Sequence, residues 1–159
     1  MKGNEALTPE FRLLKEPRGR GYRALVNSLG ATCPQFLLVV REQLALGPEA
    51  VAILRRLQPQ RFRQVRTSAW PGTELIGHFA HVSYFRSNSA SLTVLKTAAK
   101  SLYEWRQPSH PEDLCFLDGE GRPVLTTIAH EGDAWLQPRE PLLKELLVCL
   151  GSSYLARGA

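Results

Sequence analysis

The chain of 159 residues holds few cysteines and none of the short cysteine pairs that bind metals. Cys33, Cys115 and Cys149 are far apart and lie among apolar neighbours. The absence of any CxxC or CxxxC pair argues against a zinc site built on thiolates. An odd number of scattered cysteines indicates buried free thiols, which persist in a reducing compartment.

The sequence also lacks the motifs of several large enzyme classes. It contains no GxSxG, no GxGxxG, no HExxH and no glycine-rich phosphate loop followed by lysine, which argues against the common nucleotide-binding and hydrolase families. The start of the chain carries no apolar signal segment, and no later run approaches the length that spans a bilayer. We therefore expect a cytoplasmic protein with no membrane partner and no cofactor.

Charge of both signs is present, with a modest excess of the positive. Twenty Lys and Arg face fifteen Asp and Glu, giving a net charge of +5. This excess favours acidic partners but is below the density of a dedicated nucleic-acid binder. With 43% hydrophobic residues, a chain of this length can bury a core without metal or disulfide support.

Apolar periodicity predicts alternating helices and strands. Helices are expected after Thr8, over Tyr22–Leu29, between Gly47 and Pro59, over Ser89–Arg106 and after Pro138. Strands are expected over Phe36–Val40, Arg61–Arg66, Leu75–Arg86, Leu114–Leu117 and Pro123–Ile128, the last two joined as a hairpin by the turn Asp118-Gly119-Glu120-Gly121. Period 3.6 marks the helices, and alternating or continuous apolar runs mark the strands.

These elements predict the fold class. It is a single α+β domain over residues 1–159, with a mixed or mostly antiparallel sheet of about five strands packed with four to five helices. Two of the strand connections are too short for a parallel crossover, which favours antiparallel neighbours. Residues 1–21 are expected to form a mobile N-terminal arm and residues 156–159 a frayed tail.

The most basic segment of the chain is a candidate binding surface. Its five arginines are Arg55, Arg56, Arg61, Arg63 and Arg66. They suit either an acidic partner or a solvated edge strand that charge protects from aggregation. If the strand is regular, Arg61 and Arg63 share one face and Arg66 takes the other. Trp70 and Trp135 lie at strand ends, where indoles pack in the core or line an interface.

The densest group of ionisable residues is His130, Glu131 and Asp133, which follows the second arm of the hairpin. A histidine between carboxylates is typical of a general base or part of a metal site. Regular strand alternation instead puts His130 and Glu131 on opposite faces, in a strand-ending turn. We therefore keep these three as candidate catalytic residues and expect no metal site.

Three stretches resemble a family of small bacterial proteins with no assigned function. They are WPGT at 70–73, YEWRQPSHPEDLC at 103–115 and IAHEGDAWL at 128–136. The resemblance covers roughly residues 36–136 and implies a bacterial source and a single cytoplasmic domain. It implies no catalytic residues.

The sequence thus favours a small bacterial protein-binding module of the immunity, adaptor or accessory kind. Such a module would act through an interface with an acidic protein, and the absence of a complete catalytic motif favours a binder over an enzyme. The alternative is a hydrolase-like enzyme that uses His130, Glu131 and Asp133. A weaker alternative is nucleic-acid binding through the arginine-rich segment 55–66.

Overall fold

The computed structural model describes residues 9–158. Its helices are α1 (Arg20–Thr32), α2 (Pro48–Leu57), α3 (Ser89–Ala98) and α4 (Glu140–Leu150). Its strands are β1 (Phe11–Leu13), β2 (Gln35–Arg41), β3 (Arg61–Thr67), β4 (Ala69–Trp70), β5 (Thr73–Glu74), β6 (Ala80–Arg86), β7 (Glu112–Leu117), β8 (Pro123–Ile128), β9 (Asp133–Leu136) and β10 (Leu155–Arg157). Short 3-10 turns follow α2, α3, β8 and α4.

The α+β class is confirmed, but the expected number of strands was too small. The described residues form an eight-stranded antiparallel sheet in the order β10-β1-β9-β8-β7-β2-β6-β3, and β4 pairs with β5 in a separate two-stranded sheet. The five predicted strands are the longer ones. Those that were missed have two to four residues, too few to show a period of two.

The two faces of the sheet are covered differently. All four helices contribute to one large apolar core, which includes Tyr22, Phe36, Leu95 and Trp105. A smaller cluster lies on the opposite face and contains Leu37 and Val39 of β2 together with Trp70 and Val82. Strand β2 is buried on both faces, as its continuous apolar run predicts.

Three local predictions were wrong. The segment after Thr8 was expected to be helical, but Phe11–Leu13 form β1, which pairs with both β9 and β10. Helix α3 ends at Ala98 rather than Arg106 because Ser101 and Glu104 form a capping box that starts a separate 3-10 turn. The strand expected from Leu75 begins only at Ala80.

The β4–β5 hairpin covers part of the face that carries no helix. Its turn is formed by Pro71 and Gly72, and Gly72 has a φ of 83°, a conformation that favours glycine. A Cβ at Gly72 would lie 2.9 Å from Thr126 Cγ2 and 3.1 Å from Trp135 Cη2. The turn therefore packs directly on β8 and β9.

The ends of the described chain lie side by side in the sheet. Within the predicted N-terminal arm, Phe11–Leu13 pair with Leu155–Arg157, which overlap the predicted tail. Residues 1–8, including Thr8, and Ala159 lie outside the described residues. Organisation as one domain stays a prediction. In residues 9–158, no helix has the length and apolar character needed to cross a membrane.

Candidate functional site

A cleft of about 1040 Å³ opens where the ends of β2 and β7 meet the loop before β7. Arg41 and Glu112 lie on its wall together with the segment from Arg106 to His110. Residues 129–132, the turn after β8, complete the opposite side. The loop that leads into β7 therefore forms part of a concave site.

A β-bulge distorts β7 at the cleft. Leu37 pairs with Cys115, but Val39 pairs with Glu112, so β7 has one residue more than β2 in this interval. Asp113 lies in the bulge with a φ of 56°, the only positive φ of a non-glycine residue among the described residues. Bulges re-aim side chains beside functional sites, and strained backbone concentrates there.

The Asp113 carboxylate is completely buried between two hydrogen-bond donors. The Trp70 indole N–H donates to Oδ2 at 3.0 Å, and the backbone N–H of Ala129 donates to Oδ1 at 3.0 Å. Burial nevertheless raises the pKa of Asp113, and these hydrogen bonds, His130 and Arg41 oppose the rise only in part. The site holds this carboxyl group rigidly without fully compensating its charge.

Glu112 is also buried, with 2% of its surface exposed. Its Oε1 accepts the backbone N–H of Gln107 at 3.0 Å, whereas the buried Oε2 has no partner among the described residues. Burial and the neighbouring Asp113 raise the pKa of Glu112. Gln107 is itself fixed, because its side chain accepts the N–H of Arg41 and donates to the carbonyl of Leu44.

The alternation argument for His130 and Glu131 was wrong. Ala129–Glu131 form a 3-10 turn rather than extended strand, so consecutive side chains do not alternate between faces. His130 Nε2 lies 3.8 Å from Glu131 Oε1, and both residues are exposed at the cleft. Asp133 belongs to β9 and accepts a hydrogen bond from Arg12 Nε at 3.1 Å. We find no direct contact that ties Asp133 to the other two.

A different trio converges instead. Glu112, Asp113 and His130 each place one potential ligand atom within 4.8 Å of the other two. Glu112 and Asp113 directly precede the predicted hairpin, but the sequence analysis did not single them out. The signal was present in the sequence, because two consecutive acids directly before the apolar run Leu114–Leu117 enter a strand that is buried on both faces.

The predicted binding arginines lie on α2 and on β3, the edge strand of the eight-stranded sheet. Arg55 and Arg56 are exposed on α2, while Arg61, Arg63 and Arg66 are exposed on β3. A second bulge lets Arg61 pair with Phe85 and Arg63 with Tyr84. These partners are adjacent on β6, so Arg61 and Arg63 take opposite faces. The expectation that they share a face held only for a regular strand, and this bulge is the exception to it.

Aromatic rings support the cations of this edge. The guanidinium of Arg63 lies 5.0 Å from the centre of the Tyr84 ring, and that of Arg86 lies 5.3 Å from the Phe62 ring. Arg66 lies 4.0 Å from the Phe79 ring and donates from Nε to Glu42 Oε1 at 2.7 Å. Cation–π contacts hold these side chains over exposed apolar surface.

The two candidate interface tryptophans occupy different environments. Trp70 is buried, with 7% exposed, and its indole bonds Asp113, so of the two positions that the sequence left open, core or interface, Trp70 takes the core. The turn chemistry at Pro71-Gly72 folds the indole back onto the sheet. Trp135 is half-buried beside Gly72 and retains some surface.

His78 and His81 do not line the cleft, whereas His110 does, with its Nε2 2.7 Å from the carbonyl oxygen of Ala98. His78 is exposed in the loop before β6, and His81 Nε2 lies 3.8 Å from Glu42 Oε2 near the arginine edge. Burial raises the pKa of Cys115 to about 12, which keeps this thiol protonated and unreactive at neutral pH.

Comparisons with protein-family models, with curated proteins and with solved structures find no match to this chain.

Proposed function

We propose that the protein is a binding module that takes an extended, acidic segment of a partner protein along β3. The immunity, adaptor or accessory role expected from the sequence fits such a module. The proposal places it in the bacterial cytoplasm, which the free state of Cys33, Cys115 and Cys149 supports. The observation that carries the proposal is the open, cationic edge of the eight-stranded sheet.

Strand β3 pairs only with β6 among the described residues. Its outer side therefore presents backbone N–H and C=O groups to which an extended peptide can add as a further strand. Seven residues, Arg61–Thr67, give this edge enough length for a sustained ladder. Main-chain pairing would supply affinity, and the alternating side chains would supply selectivity.

Charge supplies the choice of partner. No carboxylate of the described residues lies within 4.0 Å of the guanidinium of Arg55, Arg56, Arg61 or Arg63. Beside them Phe62 is 44% and Phe79 41% exposed, and Ile76, in the loop before β6, is 95% exposed. A peptide that alternates acidic and apolar residues complements both features, because acids meet the arginines and apolar groups meet the rings.

The test is a titration of isotope-labelled protein with a nine-residue peptide that alternates Glu and Val. We expect chemical-shift changes concentrated in β3 and β6, and at least about tenfold weaker binding for R61E/R63E, because reversed charges repel the peptide. R20E/R23E is the matched control, since it makes the same charge change on exposed residues of α1 and should bind as the parent protein does.

A single-stranded RNA oligonucleotide is the competing probe. If RNA perturbs β3 with an affinity that falls steeply with salt while the peptide does not, nucleic-acid binding through segment 55–66 replaces the proposal. If neither probe perturbs β3, the arginines serve only to protect the edge and the proposal is overturned.

A hydrolase-like enzyme is the second candidate function, and the convergence of Glu112, Asp113 and His130 on a cleft favours it. Two carboxyl groups with raised pKa beside a histidine suit acid–base chemistry. The original trio is not supported in its full form, because Asp133 pairs with Arg12. Hydrolysis of nitrophenyl phosphate or acetate esters that is lost in H130A and kept in E131Q would support an enzyme. Equal background rates in both variants would reject it for these ester classes.

A further inference from the structure

We propose that Glu112, Asp113 and His130 bind one divalent transition-metal ion of the manganese, iron or zinc class at the wall of the cleft. The site is distinct from the arginine edge and does not depend on the binding function proposed above. It uses one histidine nitrogen and two carboxylate oxygens, a ligand set that suits these ions better than calcium or magnesium, which prefer oxygen alone.

Geometry is the first support. The three ligand atoms lie within 4.8 Å of one another. Ligands held at about 2.0–2.2 Å from one ion lie at most about 4.4 Å apart, so a small rotation of one side chain closes the site. His130 can make that adjustment, because its side chain is 43% exposed, while the two carboxylates are fixed by burial.

An unpartnered buried atom is the second support. Glu112 Oε2 is buried and accepts no hydrogen bond from the described residues. Neither Glu112 nor Asp113 forms an ion pair within 4.0 Å with a described cation. Buried carboxylates are normally paired, protonated or bound to a metal. The raised pKa of both groups agrees with a site that lacks a positive charge.

The surroundings of the trio resemble the outer shell of a metal site. The Trp70 indole and the Ala129 N–H orient Asp113, and the Gln107 N–H orients Glu112. Such hydrogen bonds set ligand direction before the ion arrives. The bulge and the positive φ of Asp113 add a backbone distortion that brings two consecutive carboxyl groups to one place.

Three protein ligands leave coordination positions open, and the cleft lies next to them. Glu112 and His130 line this cleft, so water or a small anionic ligand can reach the ion. The structural alternative is a proton shared by the two carboxyl groups, as in carboxylate dyads. That alternative needs neither His130 nor a metal, and the experiment separates the two.

The experiment titrates Mn²⁺ into untagged, chelator-treated protein, with calorimetry for stoichiometry and electron paramagnetic resonance for the loss of free Mn²⁺. Mn²⁺ is chosen because it binds thiolates poorly, which leaves the three cysteines out of the readout. We expect one ion per chain, displaced by Zn²⁺ in accordance with the usual order of affinities.

Ligand variants give the decisive comparison. E112Q, D113N and H130A should each weaken Mn²⁺ binding by at least about tenfold, since even outer-shell changes cost about 10–100-fold. E74Q is the matched control, because it makes the same change at an exposed glutamate that lies outside both the trio and the cleft lining. R61E/R63E should also leave the affinity unchanged, which separates this proposal from the binding function.

Folding of each variant is checked by circular dichroism, and H130A changes only an exposed residue, so at least one informative variant should fold. No binding of Mn²⁺ or Zn²⁺ at millimolar concentration would overturn the proposal. Binding of equal strength in H130A, E112Q and the parent protein would also overturn it, because the ion is then an adventitious surface ion.

Discussion

The arginine edge and the acidic cleft differ in how far their charged side chains are exposed to solvent. At the edge, Arg61 and Arg63 remain in water, where an unpaired charge costs almost nothing. In the cleft, Glu112 and Asp113 are buried without an ion pair among the described residues, where an unpaired charge is costly. Exposed charge is therefore a weak sign of function, whereas buried charge calls for a chemical reason.

The backbone bulges of the two regions also differ in their surroundings. Both strands contain a bulge, but at β3 it lies on a free edge and only redistributes exposed side chains. At β7 it lies inside the sheet, forces Asp113 to a positive φ, and is held by hydrogen bonds from Trp70 and Ala129. Strain persists in the interior only because the surrounding packing enforces it.

The largest expected effect comes from the support of the cleft. Trp70→Ala removes a buried indole and one donor to Asp113, and should lower the free energy of unfolding by about 3–5 kcal/mol. Trp70→Phe keeps most of the apolar volume and should cost about 1.5–3 kcal/mol through the lost hydrogen bond to a charged group. Denaturant unfolding measures both. A W70A loss below that of W70F would show that the hairpin does not support the site.

The second effect is the pH dependence of the metal-free protein. The pKa of Glu112 is raised in the folded state, by burial first and by Asp113 second. The folded state thus binds protons more tightly than the unfolded state, and this group's contribution to stability falls as pH rises through the folded pKa. E112Q removes this contribution, so the parent protein should lose stability relative to E112Q as the pH rises above the ordinary pKa of a glutamate.

The measurement is denaturant unfolding of both proteins at each pH in the presence of chelator. The difference between them is the readout, because other carboxyl groups such as Asp118, whose pKa is lowered, shift both proteins equally. If the difference in free energy of unfolding does not change with pH, the charge on Glu112 is already compensated in the folded state. The contrast between the cleft and the arginine edge then does not hold.

The third effect concerns association rather than stability. R61T/R63T removes two positive charges from the free edge strand β3, which has seven residues. Because these charges repel the same strand of a second molecule, their loss should promote concentration-dependent self-association. R61K/R63K retains the charge and should stay as dispersed as the parent protein. Sedimentation velocity over a range of concentrations detects the change. Equal behaviour of the two variants would show that charge does not protect this edge.

The smallest effect on stability is expected for Ile76, in the loop before β6. Ile76 is 95% exposed, so Ile76→Ser should change the free energy of unfolding by no more than about 0.5 kcal/mol. Denaturant midpoints of the parent and variant proteins test this. A larger loss would place Ile76 in a packed environment and would weaken the argument that apolar groups here are free for a partner.

Long elements could be predicted from the sequence because they carry repeated patterns. The helices containing Tyr22 and Ile53, the buried strand β2 and the β7–β8 hairpin were all expected. The short strands β1, β9 and β10 were not, since three or four residues show no period of their own, and β1 pairs with β9 and β10 more than a hundred residues away in the sequence.

The candidate site was predicted only in part, for a reason specific to its backbone. Its position in the hairpin region was expected, and His130 was named, but strict alternation was applied across a 3-10 turn. That turn breaks the period of two, so the faces inferred for His130 and Glu131 do not hold. Non-local contacts, such as the Trp70 indole on Asp113, have no local pattern that reveals them.

The hydrogen bond from Trp70 to Asp113 also gives the molecule an internal spectroscopic reporter. The indole N–H of Trp70 points at a carboxylate oxygen, whereas that of Trp105 donates to the hydroxyl of Tyr22 in the helical core. The indole proton resonance of Trp70 should therefore shift when the charge on Asp113 changes, and that of Trp105 should stay in place. One nitrogen-edited spectrum then follows the state of the cleft without any added label.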